Sequence, residues 1–158
     1  EAAREKSSRP RKRNLTQREF MAQCTPIGRQ FFQHVLDLAQ GRGYKVTWGR
    51  ASFSLRARLP APGRMVTFIY GVPAVAYNTP ADELQVYLEY LAPWLSQGEE
   101  STWRESLLGF GIFDESGSWT VKAPVTEDSL AVLNQAHEFI LDKMDEFVAA
   151  LQGEEELK

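Results

Sequence analysis

Hydrophobic and polar positions alternate most cleanly between residues 50 and 59. Ala51, Phe53, Leu55, Ala57 and Leu59 fall on one parity; Arg50, Ser52, Ser54, Arg56 and Arg58 fall on the other. Successive side chains of a strand point to opposite faces, so this pattern predicts a strand with one apolar and one cationic face. Flanking runs at 44–48 and 65–71 read as its neighbours in a β-meander, with Pro60 to Gly63 as the second turn. Gly71-Val72-Pro73 ends the third strand, and 74–82 reads as loop. Two signals compete over 83–91. Pro80 followed by Asp82 and Glu83 suggests a helix start, whereas Leu84, Val86, Leu88 and Tyr90 alternate with Gln85, Tyr87 and Glu89. The alternation is preferred, giving a fourth strand.

Helical spacing governs much of the remaining chain. Thr16-Gln17-Arg18-Glu19 has capping-box spacing and starts a short helix. Thr25, followed by Pro26, restarts it. Ile27, Phe31, Val35 and Leu38, with Phe32 and Leu36 beside them, then form a broad apolar stripe, which Gly41 and Gly43 end. A helix is predicted over about 100–109, with Ser101 or Thr102 as cap and Gly109 and Gly111 as breakers. A turn at Asp114 to Gly117 leads to a short strand, Trp119 to Lys122. Thr126-Glu127-Asp128 opens a long helix to about Leu151, striped by residues such as Leu133, Ile140, Met144 and Phe147.

These elements define an α+β fold: a mostly antiparallel sheet of about 4–5 strands, packed on one face by an N-terminal helix and a long C-terminal helix. Residues 1–14 contain no large apolar side chain and six of the first 13 are basic, so a disordered basic arm is expected. Residues 15–152 form a single domain, and 153–158 a frayed acidic tail. Glu1 at the start, rather than Met, fits a piece of a longer protein.

The order of elements, with Trp48-Gly49 leading into Phe53-Ser54, resembles an uncharacterised bacterial domain family. In that family a helix precedes a "WG…F" meander, followed by a strand, a helix, a short strand and a Leu-rich C-terminal helix. The resemblance would cover most of the chain after Thr25. It implies the same α+β architecture and carries over no activity and no catalytic residue.

Composition changes this picture in two respects. The net charge of -3 conceals a polarised chain. The first 64 residues hold 14 Lys or Arg against 4 Asp or Glu, and the rest hold 4 against 17. This layout suits either a basic surface for an anionic partner or two halves that neutralise each other on folding. The single cysteine, Cys24, excludes an intramolecular disulfide framework and a cysteine-built zinc cage, and is read as a small buried residue. No apolar run approaches the roughly 20 residues of a membrane span, so an intracellular, cytoplasmic protein without membrane contact is expected.

Catalytic chemistry finds little purchase. P-loop, dinucleotide, zincin and nucleophile-elbow motifs are absent from the sequence. His34 lacks a second ligand at helical spacing and is read as a surface or boundary residue. Asp114 and Glu115 precede a strand bearing Lys122, as in metal-dependent nucleases, but Thr120 stands where the strand acid belongs. Neither catalytic residue, metal nor cofactor is assigned. The expected function is a non-catalytic binding module, with nucleic acid the first candidate partner, contacted through the meander's cationic face and the basic arm. Its candidate contacts are Arg11, Lys12, Arg13, Lys45, Trp48, Arg50, Arg56, Arg58 and Arg64. The alternative is a protein-interaction or self-assembly module that docks through the open sheet face or through Trp94, Trp103 and Phe110.

Overall fold

The computed structural model describes residues 13–59, 64–117 and 120–156. The Pro60–Gly63 turn, Trp119 and the basic residues Arg11 and Lys12 lie outside them. Among the described residues the order is α1 (Gln17–Gln23), α2 (Pro26–Gly41), β1 (Lys45–Trp48), β2 (Phe53–Arg58), β3 (Met65–Val72), α3 (Ala74–Tyr77), β4 (Asp82–Tyr87), a 3-10 turn (Glu89–Leu91), α4 (Gln97–Leu108), β5 (Asp114–Glu115), β6 (Thr120–Val125) and α5 (Leu130–Glu156). The strands form one antiparallel sheet, ordered β1-β2-β3-β4-β6-β5. The class is α+β as expected, with six strands rather than four or five. The extra strand is β5, where Asp114 and Glu115, read as a turn, pair with Lys122 and Val121.

Local chemistry accounts for most boundaries. Thr16 caps α1 in a full capping box with Glu19, and Thr25 caps α2 with Pro26 in its first turn. The α4 helix begins earlier than the sequence suggested, because Ser96 and Glu99 close a second capping box upstream of Ser101 and Thr102. Residues 74–77, read as loop, make one helical turn. Glu154 to Glu156, read as frayed, continue α5; Glu is a good helix former and extends the segment past Leu151.

One face of the sheet is covered. Phe53, Leu55, Ala57, Leu84, Val86, Val121 and Ala123 point into a core shared with Phe31, Phe32 and Val35 of α2 and Leu133, Leu141 and Met144 of α5. Phe20 of α1 closes one end, its ring 5.1 Å from Phe53 and 5.6 Å from Trp48. At the same end, a Cβ on Gly71 would stand 2.1 Å from the Phe53 ring, so only glycine fits opposite Phe53. Among the described residues, the helices that share this core leave the sheet's other face open.

Candidate binding face

Strand parity decides which residues reach that uncovered face. In β2, Ser54, Arg56 and Arg58 oppose the core residues Phe53, Leu55 and Ala57. Lys45 and Thr47 of β1 register with Arg56 and Ser54 and therefore share their face. In β3 the register slips: Leu55 pairs with Ile69, but Arg56 pairs with Thr67. The bulge leaves Phe68 as the extra residue, buried with its ring 5.3 Å from that of Tyr44. Met65, Thr67 and Tyr70 thereby line up with Arg58, Arg56 and Ser54. Glu83, Gln85 and Tyr87 of β4 and Thr120 and Lys122 of β6 continue the face.

The sequence-derived candidates separate in space. Lys45, Arg56 and Arg58 gather on the uncovered face, and Arg64 lines a cleft with Arg56. Arg50 is exposed in the turn between β1 and β2. Arg13 is committed elsewhere: its guanidinium donates to both Glu19 oxygens at 2.6 and 2.8 Å, and it holds the Glu19 carboxyl down to about 2. Trp48 needs correction as a stacking residue. It registers with Phe53, and its ring lies 5.7 Å from that of Phe53, so it packs on the side opposite Arg56. Tyr44 is likewise engaged, its hydroxyl donating to Asp145. The alternative docking aromatics are also occupied: Trp103 packs on Phe147 and Phe110 on Phe139, and Trp94 packs against the core.

Charge pairing sharpens the contrast. Arg42 bridges Asp142 at 2.7 Å and Asp145 at 3.0 Å, tying the end of α2 to α5, and Arg104 faces Glu100 and Glu115. Lys45, Arg56, Arg58 and Arg64 make no ion pair among the described residues. The Arg56 Nε and Thr47 Oγ1 are buried there without hydrogen-bond partners.

Three tyrosines adjoin these cations. Tyr70 meets Tyr87 edge-on at 4.9 Å, and Tyr87 meets Tyr90 at 5.5 Å. A cleft of about 370 Å³ opens beside them, between Arg56, Arg64 and Tyr70 on one side and Glu89, Tyr90 and Pro93 on the other. The Thr120 hydroxyl donates to Glu89 Oε1 at 2.9 Å and fixes that carboxylate. Partial burial raises the Tyr90 hydroxyl pKa, with Tyr70 and Glu89 adding to the effect.

Glu89 and Tyr90 were absent from the sequence-derived set. Alternation put Tyr90 with the core residues of a strand, but the strand ends at Tyr87 and the 3-10 turn swings Tyr90 out, 47 % exposed. Tyr87 was discernible in principle, since it shares parity with Gln85 and opposes the buried Val86.

Among the described residues, no three His, Cys, Asp or Glu side chains are grouped to hold a metal ion. No helix among them is long and apolar enough to cross a membrane. Cys24 is buried, and burial pushes its thiol up to about 12, leaving it unsuited to nucleophilic work. Fold and site together define an α+β protein with a one-sided antiparallel sheet and a cationic, tyrosine-bearing open face. Comparison with protein-family models, curated proteins and solved structures finds no match to this chain.

Proposed function

We propose that this protein is a non-catalytic binding module that holds single-stranded nucleic acid on the open face of its sheet. The observation that supports this reading is the group of cations Lys45, Arg56, Arg58 and Arg64, which make no ion pair among the described residues, set beside Tyr70 and Tyr90. Cations contact phosphates, and tyrosines offer stacking surface to unpaired bases. Lys45 and Arg56 are cross-strand neighbours, and Arg58 follows two residues along the strand. Their spacing therefore places three positive charges along a short track.

A second reading has its own observation. Glu83 and Asp114 lie toward the other edge of the same sheet, so the face carries both signs. A face with both signs that bears Tyr and Arg side chains and Met65 also suits a protein partner.

The two separate by salt dependence. Fluorescence anisotropy with labelled mixed-sequence single-stranded DNA and RNA is measured at two salt concentrations. The nucleic-acid reading expects binding that weakens steeply with salt, is retained when the chain starts at Leu15, and drops at least tenfold in Arg56→Ala/Arg58→Ala. The salt slope should also shrink by roughly 0.7 for each phosphate that the variant no longer neutralises. No salt-sensitive binding by either chain rejects it and leaves the protein-partner reading.

A further inference from the structure

We infer that the cleft between β3 and the 89–91 turn is a pocket for a guanine base carrying a phosphate. The ligand is either one nucleotide of a bound strand or a free guanine nucleotide. The strand form of this assignment rests on the function proposed above; the free-nucleotide form does not.

The cleft combines three chemically different walls. Arg56 and Arg64 are cationic and make no ion pair among the described residues. A phosphate supplies several strong acceptors to such groups. Tyr90 is 47 % exposed at the rim, one of two large apolar side chains left so open among the described residues. Met65 and Pro93 add apolar contact, so a flat ring entering the cleft meets carbon on more than one side. The volume, about 370 Å³, lies toward the small end of ligand pockets and suits one nucleotide better than a longer segment.

The third wall selects the base. Glu89 is the one acidic residue among the described residues that line the cleft, and an ionised carboxylate only accepts hydrogen bonds. Thr120 holds it by one oxygen at 2.9 Å, which orients the group while leaving lone pairs on both oxygens. Guanine alone among the common bases presents two adjacent donors, N1–H and the N2 amino group, on its Watson–Crick edge. Adenine and cytosine present one amino group beside a ring acceptor. Uracil and thymine present one N–H between two carbonyls, which a carboxylate repels. A pair of carboxylate oxygens therefore complements guanine and opposes the others.

The test titrates the full chain with GMP, AMP, CMP, UMP and inorganic phosphate by calorimetry, and with RNA decamers that contain or lack guanine. GMP should bind about tenfold or more tightly than the other three mononucleotides, in line with a good bidentate contact. Glu89→Gln should bring GMP down to the level of AMP. Tyr90→Ala should weaken all four mononucleotides. Both side chains are exposed, and circular dichroism checks that the variants remain folded. Equal binding of the four mononucleotides, or GMP binding no tighter than phosphate, overturns the guanine pocket. If the guanine-free decamer still binds in that case, the strand-binding function stands and only the pocket falls. GMP binding without binding of either decamer supports the pocket for a free nucleotide and rejects the strand reading.

Discussion

The Asp82 carboxylate is closed off from solvent and accepts from three donors on two other segments. These are the Thr25 N–H and hydroxyl, at 2.8 and 2.9 Å, and the Ala74 N–H, at 2.7 Å. It thereby fastens the start of α2 to the corner after β3, and Gly28 leaves the space: a Cβ there would come 1.6 Å from Asp82 Oδ2. Asp82→Ala strands these donors and should lower unfolding free energy by about 3 kcal/mol in a urea titration, whereas Asp82→Asn should cost less. His137 is a second buried polar residue. It lies against Phe31 and His34, and burial, with His34 beside it, lowers its pKa to about 3. Unfolded, the same imidazole takes a proton near 6.5. Between those two values the unfolded chain binds more protons, so stability falls as pH drops from about 6.5 toward 3, by roughly one kcal/mol per pH unit. His137→Phe should flatten that part of the stability–pH curve measured by urea unfolding; an unchanged slope would contradict it. Neither residue announces itself in the sequence. Asp82 reads there as a helix-start signal beside Pro80, because two of its donors belong to Thr25, 57 positions away, and the third to the corner after β3.

At the scale of elements, caps and parity were legible because they are local. Thr16, Thr25 and the alternation of 50–59 each specify their element within a few residues. Ser96→Ala removes the cap of α4 and should cost about 1 kcal/mol in the same unfolding assay. Gly71→Val should cost more, since the added side chain meets the Phe53 ring that anchors α1, and thermal unfolding will rank the two. What escaped was set by pairing. The two-residue β5 exists only because β6 offers it an edge, and nothing in Asp114-Glu115 favours a strand. The bulge at Phe68 preserves the open face by aligning Thr67 and Met65 with the arginines. Straight alternation along 65–71 would have left Phe68 and Tyr70 on one face, and the bulge separates them.

For the whole molecule, the charge polarity of the sequence resolves into two uses. Some of the basic first half is spent internally, with Arg42 reaching Asp142 and Asp145 of α5. Another part, Lys45, Arg56, Arg58 and Arg64, stays unpaired among the described residues and beside the tyrosines. Composition alone could not apportion them, because the partition depends on which face α2 and α5 cover. The cationic side of the candidate site was thus visible in the alternation of β2, whereas its aromatic and acidic side was not. Glu89 and Tyr90 reach the cleft through a 3-10 turn that no periodic pattern marks.

The central claim is that the uncovered sheet face is the binding surface. Its most direct test is a backbone-amide chemical-shift map of the ¹⁵N-labelled protein, recorded while a mixed-sequence single strand is added. Shifts should concentrate at Lys45, Arg56, Arg58, Thr67 and Tyr70 and spare the exposed sides of α2 and α5, reported by His34 and Glu138. Shifts concentrated on those helices, or none at saturating strand, would contradict it.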